Sequence, residues 1–321
     1  MIGVWIFMRK IFNMRFEIPN NIINNISYAS RCDFIFNQKF EELKYENNRL
    51  SQITSNSTIY CWGGFLNGLF QYLKTTNLKN ITLISGCEDY PTNPNGTVIG
   101  MPIIAKSGIL PCPSNISRWF AQNAEICSDF MKPIPIGPNI CPLISTSIKN
   151  HLGSYTRDKL LFTNINPRTN SIQRNFVLNS VLEQCPNAKL NPYGDMKAYC
   201  VGLQEHIFSL CPPGNGKDTH RAWESIFFGC IPIVEKSNMN DYFSKLFPML
   251  VVDRWSDITE EFLQNKYEEI KSKSWRYDLL DVDNLFNYYN IPIKYIHKKY
   301  QELGETTMTS QTTTPNNFLY L

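Results

Sequence analysis

The chain has 321 residues, of which 43% are apolar and 18% are charged, and its formal net charge is +3. This length allows two domains, each with its own core. This net charge is too small to argue for a nucleic-acid-binding protein, which usually carries a concentrated basic surface. The ten cysteines form no C-x-x-C pair, so the sequence offers no zinc site.

The first twelve residues are apolar but are interrupted by Arg9 and Lys10. About seven apolar residues are too few to cross a bilayer, which needs about 20, and a secretory signal places its positive residues before the apolar run. We therefore expect no integral membrane segment, and the scattered cysteines favour the cytoplasm. The secretory lumen is the alternative if an upstream signal is missing, because five N-x-S/T triplets are present. They begin at Asn25, Asn56, Asn80, Asn95 and Asn115.

The first half of the chain contains a predicted strand at 58–62, a helix at 65–73 and a second strand at 80–85. Glu88 and Asp89 follow the second strand directly, before a turn-rich loop. Carboxylates at the carboxyl end of a strand lie where α/β folds carry out their chemistry. The alternative is that both are solvated loop acids.

A second polar pair follows the apolar residues Trp119 and Phe120, which we expect in the core. Gln122 and Asn123 lie at the predicted end of that strand. Their amides either bond sugar hydroxyls or make hydrogen bonds within the folded protein. Residues 140–158 mix Pro, Ser, Thr and Gly with little periodicity, which is typical of a linker.

The second half opens with a predicted strand at 159–165, followed by a polar loop and a helix. Arg168 lies in the loop and Arg174 in the helix. Each either faces a ligand or is a solvated surface residue.

The most informative segment is 206–235, which predicts a strand at 207–211, a turn at 212–216, a helix that ends at Gly229, and a strand at 230–234. Asp218 or Thr219 caps the helix. The unit is β-α-β with a glycine-containing loop at the carboxyl edge of its first strand, which is the usual position of a nucleotide phosphate.

The first turns of this helix carry charged side chains. Lys217 and Arg221, one turn apart, are cations that suit a diphosphate, while Glu224 suits the paired hydroxyls of a ribose. His220 lies one turn before Glu224. An ordinary charge-balanced, exposed helix face is the alternative.

This segment resembles the signature of the exostosin-like glycosyltransferases, S-P-R-G-N-G-x-D-x-H-R-x-W-E-A-L-x-x-G-C-I-P-I-V. The positions in register are Pro212, Gly214, Asn215, Gly216, Asp218, His220, Arg221, Trp223, Glu224, Gly229, Cys230, Ile231, Pro232, Ile233 and Val234. Pro213 departs from the pattern, because the family has arginine there. Two earlier segments also resemble the family: Gly86-Cys87-Glu88-Asp89 resembles its G-D-S-D, and residues 119–123 with 135–137 resemble its W-F-A-Q-N and P-I-G.

The resemblance implies an α/β fold of the GT-B type, with two Rossmann-like domains that face each other across a cleft. Residues 1–145 would form the acceptor-side domain and residues 146–303 the nucleotide-sugar-binding domain. Residues 304–321 are rich in Thr, Asn and Gln, so we expect a disordered tail.

The implied activity is transfer of a sugar from a nucleoside diphosphate sugar to the hydroxyl of a glycan acceptor. We expect the donor to be UDP-linked and the reaction to be inverting, without a metal or a further cofactor. Asp89 would be the general base, and Gln122 and Asn123 would contact the acceptor or the sugar. Arg174 or Arg168 would replace the arginine that is missing at Pro213. The donor-binding residues would be Gly214, Asn215, Gly216, Asp218, Thr219, His220, Arg221, Glu224, Arg174 and Arg168.

Three alternatives compete with this interpretation. A phosphate-binding NTPase loop is rejected, because the pattern needs glycine where Cys211 stands and Ser or Thr where Asp218 stands. A non-catalytic carbohydrate- or nucleotide-binding protein on a degenerate glycosyltransferase fold stays open, because Pro213 and Cys87 break family positions. A retaining transferase also stays open, since both stereochemical classes share the architecture.

Overall fold

The computed structural model describes residues 22–36, 50–86, 92, 110–139, 144, 147–148, 157–188 and 195–293. The candidate base Asp89 and the predicted tail at 304–321 lie outside the described residues.

Two parallel β-sheets form the framework, and every neighbouring pair of strands in both is parallel. The first sheet runs in the order β1 to β5: Phe34–Phe36, Thr58–Trp62, Ile81–Gly86, Ile116–Ala121 and Met131–Pro133. The second runs in the order β6 to β9: Lys159–Phe162, His206–Leu210, Ile231–Glu235 and Leu250–Val252. The mixed α/β class with parallel, Rossmann-like sheets is thereby confirmed.

Helices connect many of these strands. They are α1 (Asn25–Ser30), α2 (Gly63–Lys74), α3 (Ser171–Gln184), α4 (Met196–Glu205), α5 (His220–Phe227), α6 (Asn238–Phe243), α7 (Glu260–Lys271) and α8 (Val282–Tyr288). Two 3-10 turns, Trp255–Asp257 and Tyr277–Leu280, precede α7 and α8.

Strand order follows chain order in both sheets. Helix α2 crosses between β2 and β3, and α5 crosses between β7 and β8. Neither sheet reverses its order among the described strands, so no switch point marks a ligand position. The loops at the carboxyl ends of the strands therefore decide where a site lies.

Several boundaries differ from those that the sequence predicts. Helix α2 begins at Gly63, two residues early, and α4 is not predicted by the sequence. Helix α8 ends at Tyr288, because Asn290 adopts φ 54°. An asparagine in this left-handed region is a common helix terminator.

The buried apolar residues that the structure describes form three clusters. One cluster lies on the face of the first sheet that α2 covers, and a second lies on the face of the second sheet that α3 and α7 cover. The third is continuous across both sheets, because it joins Tyr60 and Phe120 of the first to Phe162 and Val234 of the second. The predicted boundary at 145/146 stays a prediction.

The C-terminal described segment returns to the first sheet. The Tyr289 hydroxyl donates to the Pro133 carbonyl at 2.6 Å, and Arg118 Nη1 of β4 donates to the carbonyl oxygens of Tyr289 and Asn290. Residues from beyond the second sheet therefore pack against the first.

Within the described residues, none of the helices combines the length and the apolar character that a membrane span requires.

Candidate functional site

The site is built on the loop between β7 and α5. Strand β7 ends at Leu210, and α5 begins at His220 with Thr219 at the N-cap position. The Gly214 amide donates to the Gly216 carbonyl at 3.0 Å, which closes the glycine turn. Gly229 ends the unit with φ 72°, as the sequence predicts.

Arg174 reaches this loop from α3. Its Nε donates to the Pro213 carbonyl at 3.1 Å, and its Nη1 donates to the Asn166 carbonyl at 2.9 Å. A Cβ at Gly214 would lie 3.0 Å from Arg174 Nη2. The structure thus holds the Arg174 guanidinium against the main chain of the glycine loop at Pro213. Arg168, by contrast, is exposed.

Two polar atoms at the start of α5 are buried without a hydrogen-bond partner among the described residues. They are Thr219 Oγ1 and Arg221 Nη1. The Arg221 guanidinium lies over the Tyr199 ring, with Cζ 4.9 Å from the ring centroid. A buried donor left unsatisfied costs about 1–3 kcal/mol. A cation and a hydroxyl at a helix N-terminus form an arrangement suited to an anion.

Glu224 is buried deeper in α5, and the protein uses both of its oxygens. Oε1 accepts from the Asn139 amide at 3.0 Å, and Oε2 accepts from the Tyr199 hydroxyl. Burial and the neighbouring Glu224 charge raise the pKa of Tyr199 well above its usual value. Tyr199 is therefore a neutral donor to the carboxylate.

Asp218 is buried at the junction of the two sheets. Its Oδ2 accepts from the Ile136 amide at 2.7 Å and its Oδ1 from Trp223 Nε1 at 2.7 Å. Its own amide donates to Asn123 Oδ1 at 2.9 Å. Burial raises the pKa of this carboxyl to about 7, although the N–H donors act in the opposite direction.

His220 makes a third contact across the junction. Its Nδ1 lies 2.8 Å from the Gly137 carbonyl. A carbonyl only accepts, so Nδ1 carries the proton and Nε2 presents a lone pair in the neutral ring. Gly137 has φ 75°, and a Cβ there would clash with the Ile23 carbonyl. Only glycine fits this contact.

The segment 134–139, which we call the junction loop, follows β5 and bonds Asp218, His220 and Glu224. It meets them with main-chain atoms of Ile136, Gly137 and Asn139. Three residues predicted to bind the donor therefore also join the two sheets.

The predicted acceptor contacts Gln122 and Asn123 are both buried. Asn123 bonds the Asp218 amide from a left-handed conformation, φ 50°. Gln122 Nε2 donates to Asn25 Oδ1 at 2.8 Å. The sequence does not identify Asn25 or Tyr199 as a residue of the site, because both lie in helices that its patterns do not predict.

Within the described part of the chain, no group of three or more His, Cys, Asp or Glu side chains is placed to hold a metal ion.

Comparison with known proteins gives little. No family model matches the sequence, and no curated protein matches it. Among solved structures, the chain is similar to the crystal structure of the GtfA/B complex, with a TM-score of 0.32 and 10% sequence identity. The match covers 83% of this chain and 60% of that one. This likeness is too low to carry an argument about fold or activity.

Proposed function

We propose that the protein is a glycosyltransferase of the GT-B type that moves a sugar from a nucleoside diphosphate sugar, UDP-linked, to a carbohydrate hydroxyl. The motif at 212–234 supports the family, and one structural observation carries the proposal. Thr219 Oγ1 and Arg221 Nη1 are buried and unsatisfied among the described residues at the start of α5. An anionic ligand would satisfy both atoms.

In this proposal the donor diphosphate lies at the start of α5. The Arg221 guanidinium, the Thr219 hydroxyl and the first amides of the helix stabilise the charge that develops on the leaving diphosphate. Arg174 adds a second guanidinium at the glycine loop, beside the Pro213 carbonyl. Protein cations then do the work of a metal ion.

Glu224 is the proposed ribose ligand. A carboxylate has about four acceptor positions, and Glu224 uses two of them, for Asn139 and Tyr199. Two acceptor positions therefore remain for ribose hydroxyls.

The proposed reaction is a single inverting displacement. Asp89 takes the proton of the acceptor hydroxyl, the new C–O bond forms at the anomeric carbon, and the bond to the diphosphate breaks with its electron pair on the leaving oxygen. Determining the anomeric configuration of the product separates this mechanism from a retaining one.

Donor binding tests the proposal, with Thr219→Val as the informative variant. Valine has nearly the shape of threonine without the hydroxyl, and that hydroxyl has no partner among the described residues. We expect the variant to keep or raise the melting temperature, because an unsatisfied buried group is removed. A UDP-sugar at 100 times its Kd should stabilise the native chain against unfolding by about 2.7 kcal/mol and raise its melting temperature accordingly. We expect Thr219→Val to lose most of this ligand-induced stabilisation.

Thr58→Val is the matched control. Thr58 Oγ1 is also buried without a partner in the described part of the chain, but it lies at the start of β2, in the first sheet. It should tolerate the change equally and keep the full ligand shift. If no UDP- or GDP-sugar shifts the melting temperature of the native chain, the proposal is wrong.

A non-catalytic binding protein is the second candidate. It is favoured by the use of Asp218 and Glu224 in the bonds that join the sheets. Release of free sugar from a bound donor would exclude it.

A further inference from the structure

A half-buried amide at the carboxyl edge of the first sheet takes no part in the proposed binding of the donor. Asn25, the first residue of α1, accepts two hydrogen bonds on one atom. Tyr60 donates to Asn25 Oδ1 at 2.9 Å, and Gln122 Nε2 donates to the same oxygen at 2.8 Å. Strand β2 and the end of β4 therefore both hold this side chain.

The two bonds fix which way the amide points. Gln122 Nε2 also lies 3.4 Å from the Pro135 carbonyl, which can only accept, so an oxygen in its place would face an acceptor. Gln122 therefore presents its NH₂ group, and Asn25 must turn Oδ1 toward it. Asn25 Nδ2, with two N–H donors, has no hydrogen-bond partner among the described residues, and the side chain is half-exposed.

The backbone leaves room for this arrangement. A Cβ at Gly86, the last residue of β3, would clash with Asn25 Oδ1. A glycine is therefore required for Asn25 to occupy its place. Gly86 is also the first residue of the segment that ends three residues later at Asp89. The preceding residue, Asn24, lies against Gly137, because its Cα would be 3.3 Å from a Cβ added there. The Gly137 carbonyl in turn contacts His220.

We propose that Asn25 is an acceptor-binding residue, whose Nδ2 donates a hydrogen bond to a hydroxyl of the carbohydrate acceptor. Gln122 is then a positioning residue, because its NH₂ group sets the orientation of the Asn25 amide. The inference rests on the proposed function and adds to it a residue for the acceptor side. It also explains why a fully buried position of the motif carries a polar amide, Gln122.

Asn25→Asp is the direct test, since it replaces the NH₂ donor by an oxygen and keeps the oxygen that Tyr60 and Gln122 bond. The probes are a panel of p-nitrophenyl monosaccharides as acceptors, with the UDP-sugar that binds the native chain as donor. We expect the KM for the glycoside to rise about tenfold, with a much smaller change in the KM for the donor. Gln122→Glu should shift the glycoside KM in the same direction.

Asn24→Asp is the matched control. It introduces the same charge one residue earlier and keeps the helix cap, in which Asn24 Oδ1 accepts from the Ser27 amide at 2.9 Å. Its KM for the glycoside should stay within about twofold of the native value, because no contact of Asn25 is changed.

Three outcomes would overturn the inference. Asn25→Asp has an unchanged KM for the glycoside, or raises the KM values of donor and acceptor equally, or the native chain hydrolyses the donor and transfers to no glycoside. Failure of the proposed function has a different signature, because the native chain then binds no nucleotide sugar at all.

Discussion

At the residue scale, the residues that match the motif divide by their partners. Asp218, His220 and Glu224 bond main-chain atoms of the junction loop, whereas Thr219 and Arg221 each bury a polar atom that no described residue satisfies. The first group holds the two sheets together. The polar atoms of the second group are buried without hydrogen bonds, which destabilises the fold, and a ligand that bonds them would remove this penalty.

Asp218 makes the stability depend on pH. The folded carboxyl holds its proton up to a pKa of about 7, while the unfolded one releases it near 3.8. Between these values the folded state binds more protons, so the free energy of unfolding falls as pH rises from about 4 to about 7 and is level above that. The total contribution is on the order of 4 kcal/mol.

Asp218→Asn removes this titration, so urea unfolding of both proteins between about pH 4 and pH 8 measures it. The native chain should lose stability relative to the variant across this window. The variant should also be less stable at the acid end, by about 1–3 kcal/mol, because its NH₂ group would face the Ile136 or Trp223 donor. A difference between the two proteins that is independent of pH would contradict the assignment.

At the element scale, two glycines differ in whether their surroundings leave room for a side chain. Gly229 ends α5 with φ 72°, and a Cβ there would lie 2.8 Å from Arg157 Nη2. That guanidinium donates to the carbonyl oxygens of Leu203 and His206 at the end of α4, and to that of Phe228 at the end of α5. A Cβ added at Gly64, in α2, would meet no heavy atom of the described residues within 4 Å.

Alanine should therefore act in opposite directions at the two sites. Gly229→Ala should destabilise the fold by about 2 kcal/mol or more, because the left-handed conformation alone costs about 1–2 kcal/mol and Arg157 must move. Gly64→Ala should stabilise it by up to about 1 kcal/mol through helix propensity. Thermal unfolding of the two variants measures the contrast, and equal signs would contradict it.

The sequence predicts these elements well where the signal is local. The strand at Thr58–Trp62, the β-α-β unit around α5 and the stop at Gly229 follow from apolar runs, turn residues and glycine chemistry. Helix α4 and the contacts of Asp218 are not predictable in this way, and the partners Ile136 and Asn123 lie 82 and 95 residues from Asp218. Side-chain patterns carry no signal for a bond to a distant main-chain amide.

At the scale of the whole molecule, the two ends of the described chain are joined. Arg31, which is 2% exposed, forms a two-point ion pair with Asp283 of α8, at 2.9 and 3.2 Å. The Tyr28 and Phe286 rings stack beside it with centroids 6.2 Å apart. The ion pair therefore fixes the C-terminal segment against α1.

Asp283→Ala should destabilise the protein by about 3 kcal/mol, because it leaves the Arg31 guanidinium buried without its counter-charge. Asp257→Ala breaks an exposed ion pair with Arg254 and should cost less than about 1 kcal/mol. Chemical denaturation of both variants makes the comparison. Equal losses of stability would show that the burial of Arg31 does not make its ion pair more stabilising than an exposed one.

The junction loop has a consequence for how such a protein changes over time. It meets Asp218 and Glu224 with the amides of Ile136 and Asn139, and any residue except proline supplies an amide. A mutation of Asp218 or Glu224 would therefore remove a bond, because the side chain makes it. A substitution at position 136 or 139 would keep the bond unless it introduced proline. Two diverging descendants would therefore keep these two bonds even where residues 136 and 139 differ, whereas Gly137 and the side chains of the motif would stay the same in both sequences.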